Sequence, residues 1–306
     1  MTAIANSTSA FYERSVMNIG ALRARAEGLQ SQISSGSKLT RSSDNPVAAS
    51  RLRSLERSSQ LSSVDTSTAN RASADLKLTD TALSSLAEFV TRATELTTQA
   101  ASGTLTASQR AGIGYELQQI HGNLVALANT KDSTGHALFG GETTGQAYML
   151  DASGNAVYAG TASTTDLQLG DGQSVKPSLT GPEFLNFKVA GNPTDLMAVI
   201  KGLGDALQGG VADPAAAARA GLDALSQGLD AITTGQTLVG ARMAWIDLTN
   251  ERRTSLNELQ SGEESNLGST DIAASIADLQ QVMLVLEASQ ASFAKLASLS
   301  LFDLLH

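Results

Sequence analysis

Two apolar stripes, one near each end of the chain, restrict its fold more than any other feature. Ile19, Leu22, Ala26, Leu29 and Ile33 are spaced 3, 4, 3, 4, a narrow seam on one helix face of the kind seen in coiled coils. Near the other end Ile272, Ile276, Leu279, Met283, Leu286, Gln290 and Phe293 repeat 4, 3, 4, 3, 4, 3, with Val282, Val285, Leu296 and Leu299 widening the stripe. A seam this narrow does not bury itself. The two ends are expected to partner each other or neighbouring copies of the chain, and to order on assembly, because each is too poor in aromatics to be stable alone.

Charge favours the same pairing. Residues 1–60 hold eight Lys/Arg against four acids, whereas residues 258–306 hold seven acids against Lys295. The chain as a whole carries a formal net charge of −9, which disfavours non-specific attraction to nucleic acid or an anionic membrane surface. There is no cysteine, so neither a disulfide framework nor a thiolate metal site is available. The most apolar run, Val282 to Leu286, stops at Glu287, so no membrane-length stretch is expected and the protein is expected to be soluble without membrane insertion. The opening residues, MTAIANSTSAFYER, lack both a basic region and a continuous apolar core, so signal-peptide export is not expected.

Between the ends, residues 46–101 read as one long helix ended by Gly103, with Thr106 and Gln109 in the form of a capping box that opens the next helix. At 1.5 Å per residue such a helix is about 80 Å long, which implies a rod. Ile113, Leu117, Ile120, Leu124 and Leu127 continue the heptad pattern, as do Ala218, Leu222, Leu225, Leu229 and Ile232, then Leu238, Ala241, Trp245, Leu248 and Leu259. The texture changes between Gly135 and Gly191, which hold ten of the 27 glycines and five of the twelve aromatics. Runs such as ALFGG, QAYML, AVYAG and TDLQL, separated by DASGN and GDGQS, read as strands and hairpin turns. Asn192-Pro193 and Asp213-Pro214 each read as a helix cap followed by proline.

The expected fold is therefore mainly α: a helical rod or coiled-coil bundle built from the N- and C-terminal halves, with a small inserted β-rich domain. The expected boundaries are 1–44 with 268–306 for a terminal coiled-coil region, 45–136 with 192–267 for the rod, and 137–191 for the β-rich domain.

The residues offer little chemistry. His121, His136 and His306 have no ligand-type partner four residues away, so no metal or cofactor is expected. Ser35-Gly36-Ser37-Lys38 matches a nucleophile motif in form, but it lies where a helix stops rather than where one begins. Gly112-x-Gly114 and Gly202-x-Gly204 are fragments of a dinucleotide fingerprint without a preceding strand and read better as small residues at close helix contacts. Trp245 reads as packing, and Glu251-Arg252-Arg253 as a solvated helix face. No nucleophile, base and stabiliser can be nominated together, so no catalytic residue is named. A surface-binding module with a polysaccharide site on Tyr148, Tyr158, Phe184 and Phe187 is a competing reading, although packing of a small β core explains those rings more simply.

One stretch is more closely specified. In ISSGSKLTRSSDNPVAAS, Ile33 to Ser50, Gly36 is placed to end a helix in a left-handed cap and Asn45-Pro46 to start the next. Lys38 and Arg41 are the exposed charges of the elbow between them.

This stretch, the segment Asp132 to Gly141 (DSTGHALFGG) and the close DIAASIADLQQVMLVLEASQASFAKLASLSLFDLLH together resemble the flagellin superfamily, and within it the hook-associated branch more than filament flagellins. Pro46 and the ASLSLFDLL ending carry that distinction; Asn45 departs from the aspartate common in the family. The resemblance covers nearly the whole chain, most strongly 1–145 and 235–306. It implies a non-enzymatic adaptor joining hook to filament in the bacterial flagellum, exported unfolded through a type III apparatus. It also implies a ring of copies, a hook-associated neighbour on the hook side, flagellin on the filament side and an export chaperone on the C-terminal helix. A minor flagellin is the alternative. The assembly surface implied is Ile19, Leu22, Leu29, Ile33, Ile272, Ile276, Leu279, Met283, Leu286 and Phe293.

Overall fold

A computed structural model describes residues 2–132 and 134–303, with side-chain environments from residue 10 to residue 296. The side chains of the closing Ser298–Leu305 segment and His306 lie outside the described residues. The chain is mainly α. Helices α1 (Thr2–Ser35), α2 (Pro46–Ala100) and α3 (Ala107–Ala128) are followed by three two-stranded antiparallel hairpins: β1 (Tyr148–Leu150) with β2 (Ala156–Tyr158), β3 (Leu167–Gly170) with β4 (Gln173–Val175), and β5 (Asn186–Val189) with β6 (Asn192–Asp195). A short helix α4 (Gly181–Leu185) precedes β5. After β6 come α5 (Leu196–Asp205), a π-helical turn at Ala206–Gly210, α6 (Pro214–Gly268) and α7 (Ile272–Asp303). Contacts group the chain into two units, 1–60 with 255–306, and 61–254.

In the 61–254 unit, α2 and α3 form an antiparallel pair. Thr106 and Gln109 make the reciprocal capping box at the start of α3, and Arg92 reaches Glu116 across the pair at 2.8 Å. Gln236 on α6 donates to the Ser84 hydroxyl on α2 at 3.0 Å. Helix α5 packs on α3 where Gly114 and Gly204 meet: a Cβ on Gly114 would lie 2.7 Å from the Gly204 carbonyl. The glycine fragments seen in the sequence are thus a backbone crossing, carried by one glycine of each pair. On α6 a glycine recurs every seventh residue, and a Cβ at Gly221, Gly228 or Gly235 would meet Leu203, Leu196 or Phe184 respectively. This series was not recognised in the sequence. The helices are rich in threonine yet well packed, because Thr79 and Thr97 turn their hydroxyls onto the carbonyls of Asp75 and Ala93 and are fully buried.

The β-rich stretch does not close off a core of its own. Phe139 and Phe184, with ring centroids 4.8 Å apart, belong to the same buried cluster as Leu83, Leu86, Leu117 and Ile232 of the helices. Asn129, at the end of α3, clamps the first hairpin by exchanging two hydrogen bonds with the Tyr148 backbone, both 2.9 Å.

Two sequence expectations are corrected here. Ala137–Gly141 is not a strand and makes only an isolated bridge, Lys131 to Ala137. Leu138 and Phe139 are both buried, which a strand with one solvated face does not allow. Asn192-Pro193 does not start a helix: it belongs to β6, with Pro193 opposite Lys188. Ala190 and Gly191 both have positive φ, 49° and 86°, the turn that closes a two-residue hairpin. The helix begins three residues later, capped by the Asp195 carboxylate, which accepts from the Ala198 N–H at 2.9 Å.

Candidate functional site

The distinctive surface belongs to the other unit, where α1 and α7 pair. They run antiparallel. The Tyr12 ring meets Phe293 edge-on at 5.6 Å, and its hydroxyl donates to the Leu296 carbonyl at 3.3 Å. On α1, Ile19, Leu22, Leu29 and Ile33 are half-buried and Ala26 is buried. On α7 the nominated residues divide. Leu286 is buried and Leu279 and Phe293 are half-buried, whereas Ile272, Ile276 and Met283 are 50%, 42% and 51% exposed.

The stripe that α7 buries instead runs Ser275, Leu279, Val282, Leu286 and on to Phe293. It keeps the heptad spacing but is turned away from the outer residues. Helix α7 therefore carries two apolar seams, one covered by α1 and one open. The open seam includes Leu284, 68% exposed, and borders a groove of about 570 Å³ lined by Leu279, Gln280, Met283, Leu284, Glu287 and Gln290, with Leu286 of the covered seam at its edge. By length and composition α7 is apolar enough over Ile272–Leu296 to cross a bilayer, which corrects the expectation that no stretch has membrane-spanning length. Asp278, Glu287 and Lys295 stand inside that stretch; an acid at the middle of a bilayer costs about 3 kcal/mol.

The elbow between α1 and α2 is built by local hydrogen bonds. Gly36 has φ +67° directly after the last residue of α1, a backbone conformation that costs a residue with a Cβ about 1–2 kcal/mol. The Asp44 carboxylate accepts from the N–H groups of Thr40 and Arg41, at 3.2 and 2.8 Å, and from the Thr40 hydroxyl at 2.9 Å. The Arg41 N–H and the Thr40 hydroxyl hold that carboxyl below the usual carboxylate range. Asn45 caps α2 through its side-chain oxygen, 3.1 Å from the Ala48 N–H, and Pro46 is the first helical residue. Lys38 and Arg41 are exposed. The Lys38 carbonyl accepts from the Gln32 side chain at 3.0 Å.

What the sequence reading missed is a second joint facing the first. The α6–α7 link, Ser269–Asp271, pairs with the elbow through an antiparallel bridge between Ser37 and Ser269. The Lys38 N–H donates to the Gly268 carbonyl at 2.7 Å, and the Thr270 N–H to the Gly36 carbonyl at 3.0 Å. Asp271 then caps α7 through its carboxylate, 3.0 Å from the Ala274 N–H. The signal was present: Gly268-Ser269 repeats Gly36-Ser37, and an aspartate precedes the helix. Nearby, Arg51 on α2 makes a bidentate ion pair with Glu263 on α6, at 2.6 and 2.7 Å.

The remaining candidates for chemistry are otherwise engaged. Tyr148 and Phe184 are buried and Tyr158 and Phe187 half-buried; the Tyr158 hydroxyl donates within the fold to the Thr161 carbonyl at 2.8 Å, with the Phe139 carbonyl 3.1 Å away. The Tyr148 and Phe184 rings belong to the buried cluster, and Tyr158 and Phe187 pack against it. A recess of about 230 Å³ includes Asp132 and Glu142, but Asp132 accepts from the N–H groups of Thr134 and His136 and Glu142 from the Thr165 hydroxyl. Among the described residues no group of three or more His, Asp or Glu side chains is placed to hold a metal ion. Trp245 is 42% exposed and lines a small surface recess with Leu248, Arg252, Arg253, Asp171 and Gln173.

Comparison with known proteins covers the chain from end to end. Residues 7–144 match the bacterial flagellin N-terminal helical region. Flagellar hook-associated protein 3 of Escherichia coli is 27% identical over 323 residues, 97% of this chain and 98% of that protein. The protein of the same name from Salmonella typhimurium is 29% identical over 180 residues, 59% of this chain and 56% of its own length. Among solved structures, the flagellar junction protein of Legionella pneumophila shares the fold with a TM-score of 0.60 at 13% identity, covering 72% of this chain and all of that one.

Proposed function

We propose that this chain, a flagellin-superfamily protein of the hook-associated protein 3 type, is a structural adaptor of the bacterial flagellum located at the hook–filament junction. The observation that carries the reading is the α1/α7 pair, which leaves Ile272, Ile276, Met283 and Leu284 open in a chain that aligns from end to end with a hook-associated relative. An open seam beside a covered one is what a subunit needs when its burial is completed by a neighbour. The contacts expected are with further copies in a ring, with a hook-associated protein on the hook side and with flagellin on the filament side. The β hairpins would face outward. Before assembly the same C-terminal helix would be held by an export chaperone, and the chain would leave the cell through the type III apparatus.

The reading is tested by chromosomal deletion. The expected result is cells that keep hooks, lack filaments and release flagellin monomers into the medium; cells that still swim with filaments overturn it. The match of residues 7–144 to the flagellin region favours a second reading, a minor filament subunit. Purified protein that grows long filaments from its own seeds would select that one.

A further inference from the structure

The chain passes between the α1/α7 pair and the adjoining ends of α2 and α6 twice, at residues 36–45 and 269–271. These crossings are hydrogen-bonded to each other rather than separate. Ser37 and Ser269 face one another, with the two backbone bonds made by the residues on either side. Each crossing is also fixed to its own helix. Gln32 of α1 donates to the Lys38 carbonyl, and on the α7 side the Thr270 and Ser275 hydroxyls lie 3.1 Å apart.

The register of the joint matches that of the helices it feeds. Counting back 25 residues from Ser37 reaches Tyr12, and counting on 24 from Ser269 reaches Phe293, the two rings that meet edge-on near the far end of the pair. Antiparallel helices of equal rise keep such a match only if one alignment holds throughout. Beneath the joint is a recess of about 470 Å³ lined by Leu52, Glu56 and the small residues Ser261, Ser265 and Gly268. The joint therefore has room beside it, while Arg51 and Glu263 hold α2 to α6 independently.

We infer that the two crossings form a single latch: closing Gly36–Lys38 on Gly268–Thr270 sets the register of α1 against α7, and the terminal helices open, close and turn as one body. Two independent linkers would let each helix detach alone. A latched pair detaches together or not at all. This goes beyond the adaptor reading and stands or falls without it, since it is a property of the purified chain.

The chain has no cysteine, which makes a clean test. Residues facing each other at a non-hydrogen-bonded antiparallel position have Cα atoms about 4.5 Å apart, within the disulfide range of about 4.4–6.8 Å. The double variant Ser37→Cys with Ser269→Cys is expected to oxidise as the folded monomer. Oxidation is expected to slow proteolysis within both α1 and α7 roughly tenfold, reversibly with reductant, by raising the effective concentration of one helix for the other. Failure to oxidise in the native state, or oxidation with unchanged cleavage of the helices, overturns the latch.

Lys38→Pro and Thr270→Pro each remove one donor of the joint. Either is expected to lower hydrogen-exchange protection in both helices together, with the amides of 61–254 unchanged as the control for folding. Loss confined to the helix next to the substitution overturns the proposal.

Discussion

The two units of this molecule are unlike in how far they complete themselves. Residues 61–254 enclose a continuous core in which Leu76, Leu83, Leu86, Phe139, Phe184 and Leu196 are fully buried. In the unit formed by 1–60 and 255–306, the buried apolar residues among those described are Ala26, Ala48, Ala49, Leu55, Val282 and Leu286, half of them alanine. Phe11, Val16, Met17, Ile272, Ile276, Met283 and Leu284 stay open. Both use the same heptad spacing. The lesson is that the spacing makes helices associate, but the number of helices brought together decides whether the apolar surface is consumed or left open.

Phe184→Ala, in the complete unit, breaks the comparison most severely. Removing a fully buried ring packed against Phe139 and Gly235 should cost about 3–5 kcal/mol of stability, read by denaturant unfolding of the monomer. The equivalent truncation on the open seam should cost far less, and equal losses would mean the units are not different in kind.

Gly36→Val comes next. A β-branched residue at φ +67° should cost about 1–2 kcal/mol or more locally, loosening α1 and α7 together while leaving the unfolding midpoint of the 61–254 unit in place. Junction assembly should fail before folding does, so a normally motile Gly36→Val strain would count against the elbow.

A pH titration sharpens the contrast from the other side. His121 is buried on α3 with its Nε2 unpartnered. Burial and, next, the Lys201 charge push its imidazole below the ordinary 6.5, against smaller opposing effects of Asp195 and Asp205. The folded form therefore resists protonation. Above pH 6.5 both states are neutral and stability is flat; below it the unfolded chain takes up the proton first, and stability should fall by up to about 1.4 kcal/mol per pH unit until the folded value is reached. His121→Gln should flatten that slope in the 61–254 unit, and an unchanged slope would exclude the histidine as its source.

The smallest expected effect on the monomer is at the open seam. Met283→Ser should change monomer stability by no more than about 0.5 kcal/mol, while reducing incorporation at the junction, measured by the fraction of cells that carry filaments. A large loss of monomer stability would show that the seam is already covered.

The legible parts of the fold were those specified by neighbouring residues. Thr106 with Gln109, Asp213 before Pro214 and Gly36 after Ser35 each act within one helical turn, and the Asp171-Gly172 hairpin carries its turn chemistry in two residues. Ala190-Gly191 makes a similar turn but was hidden, because alanine rarely adopts positive φ; Asn192-Pro193 then looked like a helix start. The glycines seven apart on α6 were overlooked because a glycine's value at a helix contact lies in what approaches it, and that partner is distant in sequence.

The candidate site divides along the same line. Sequence alone determined that both ends are heptad helices and that a capped elbow follows the first, since caps and periodicity are fixed over three or four residues; the resemblance to the flagellin superfamily rests separately on the stretches Ile33–Ser50 and Asp132–Gly141 and on the C-terminal close. The tertiary structure alone decided which of two apolar seams on α7 is covered and that Gly36–Lys38 closes on Gly268–Thr270. Ile276 and Val282 are equally apolar, so no local preference separates them. Only the packing of α1, more than 230 residues away in the chain, buries one and leaves the other exposed.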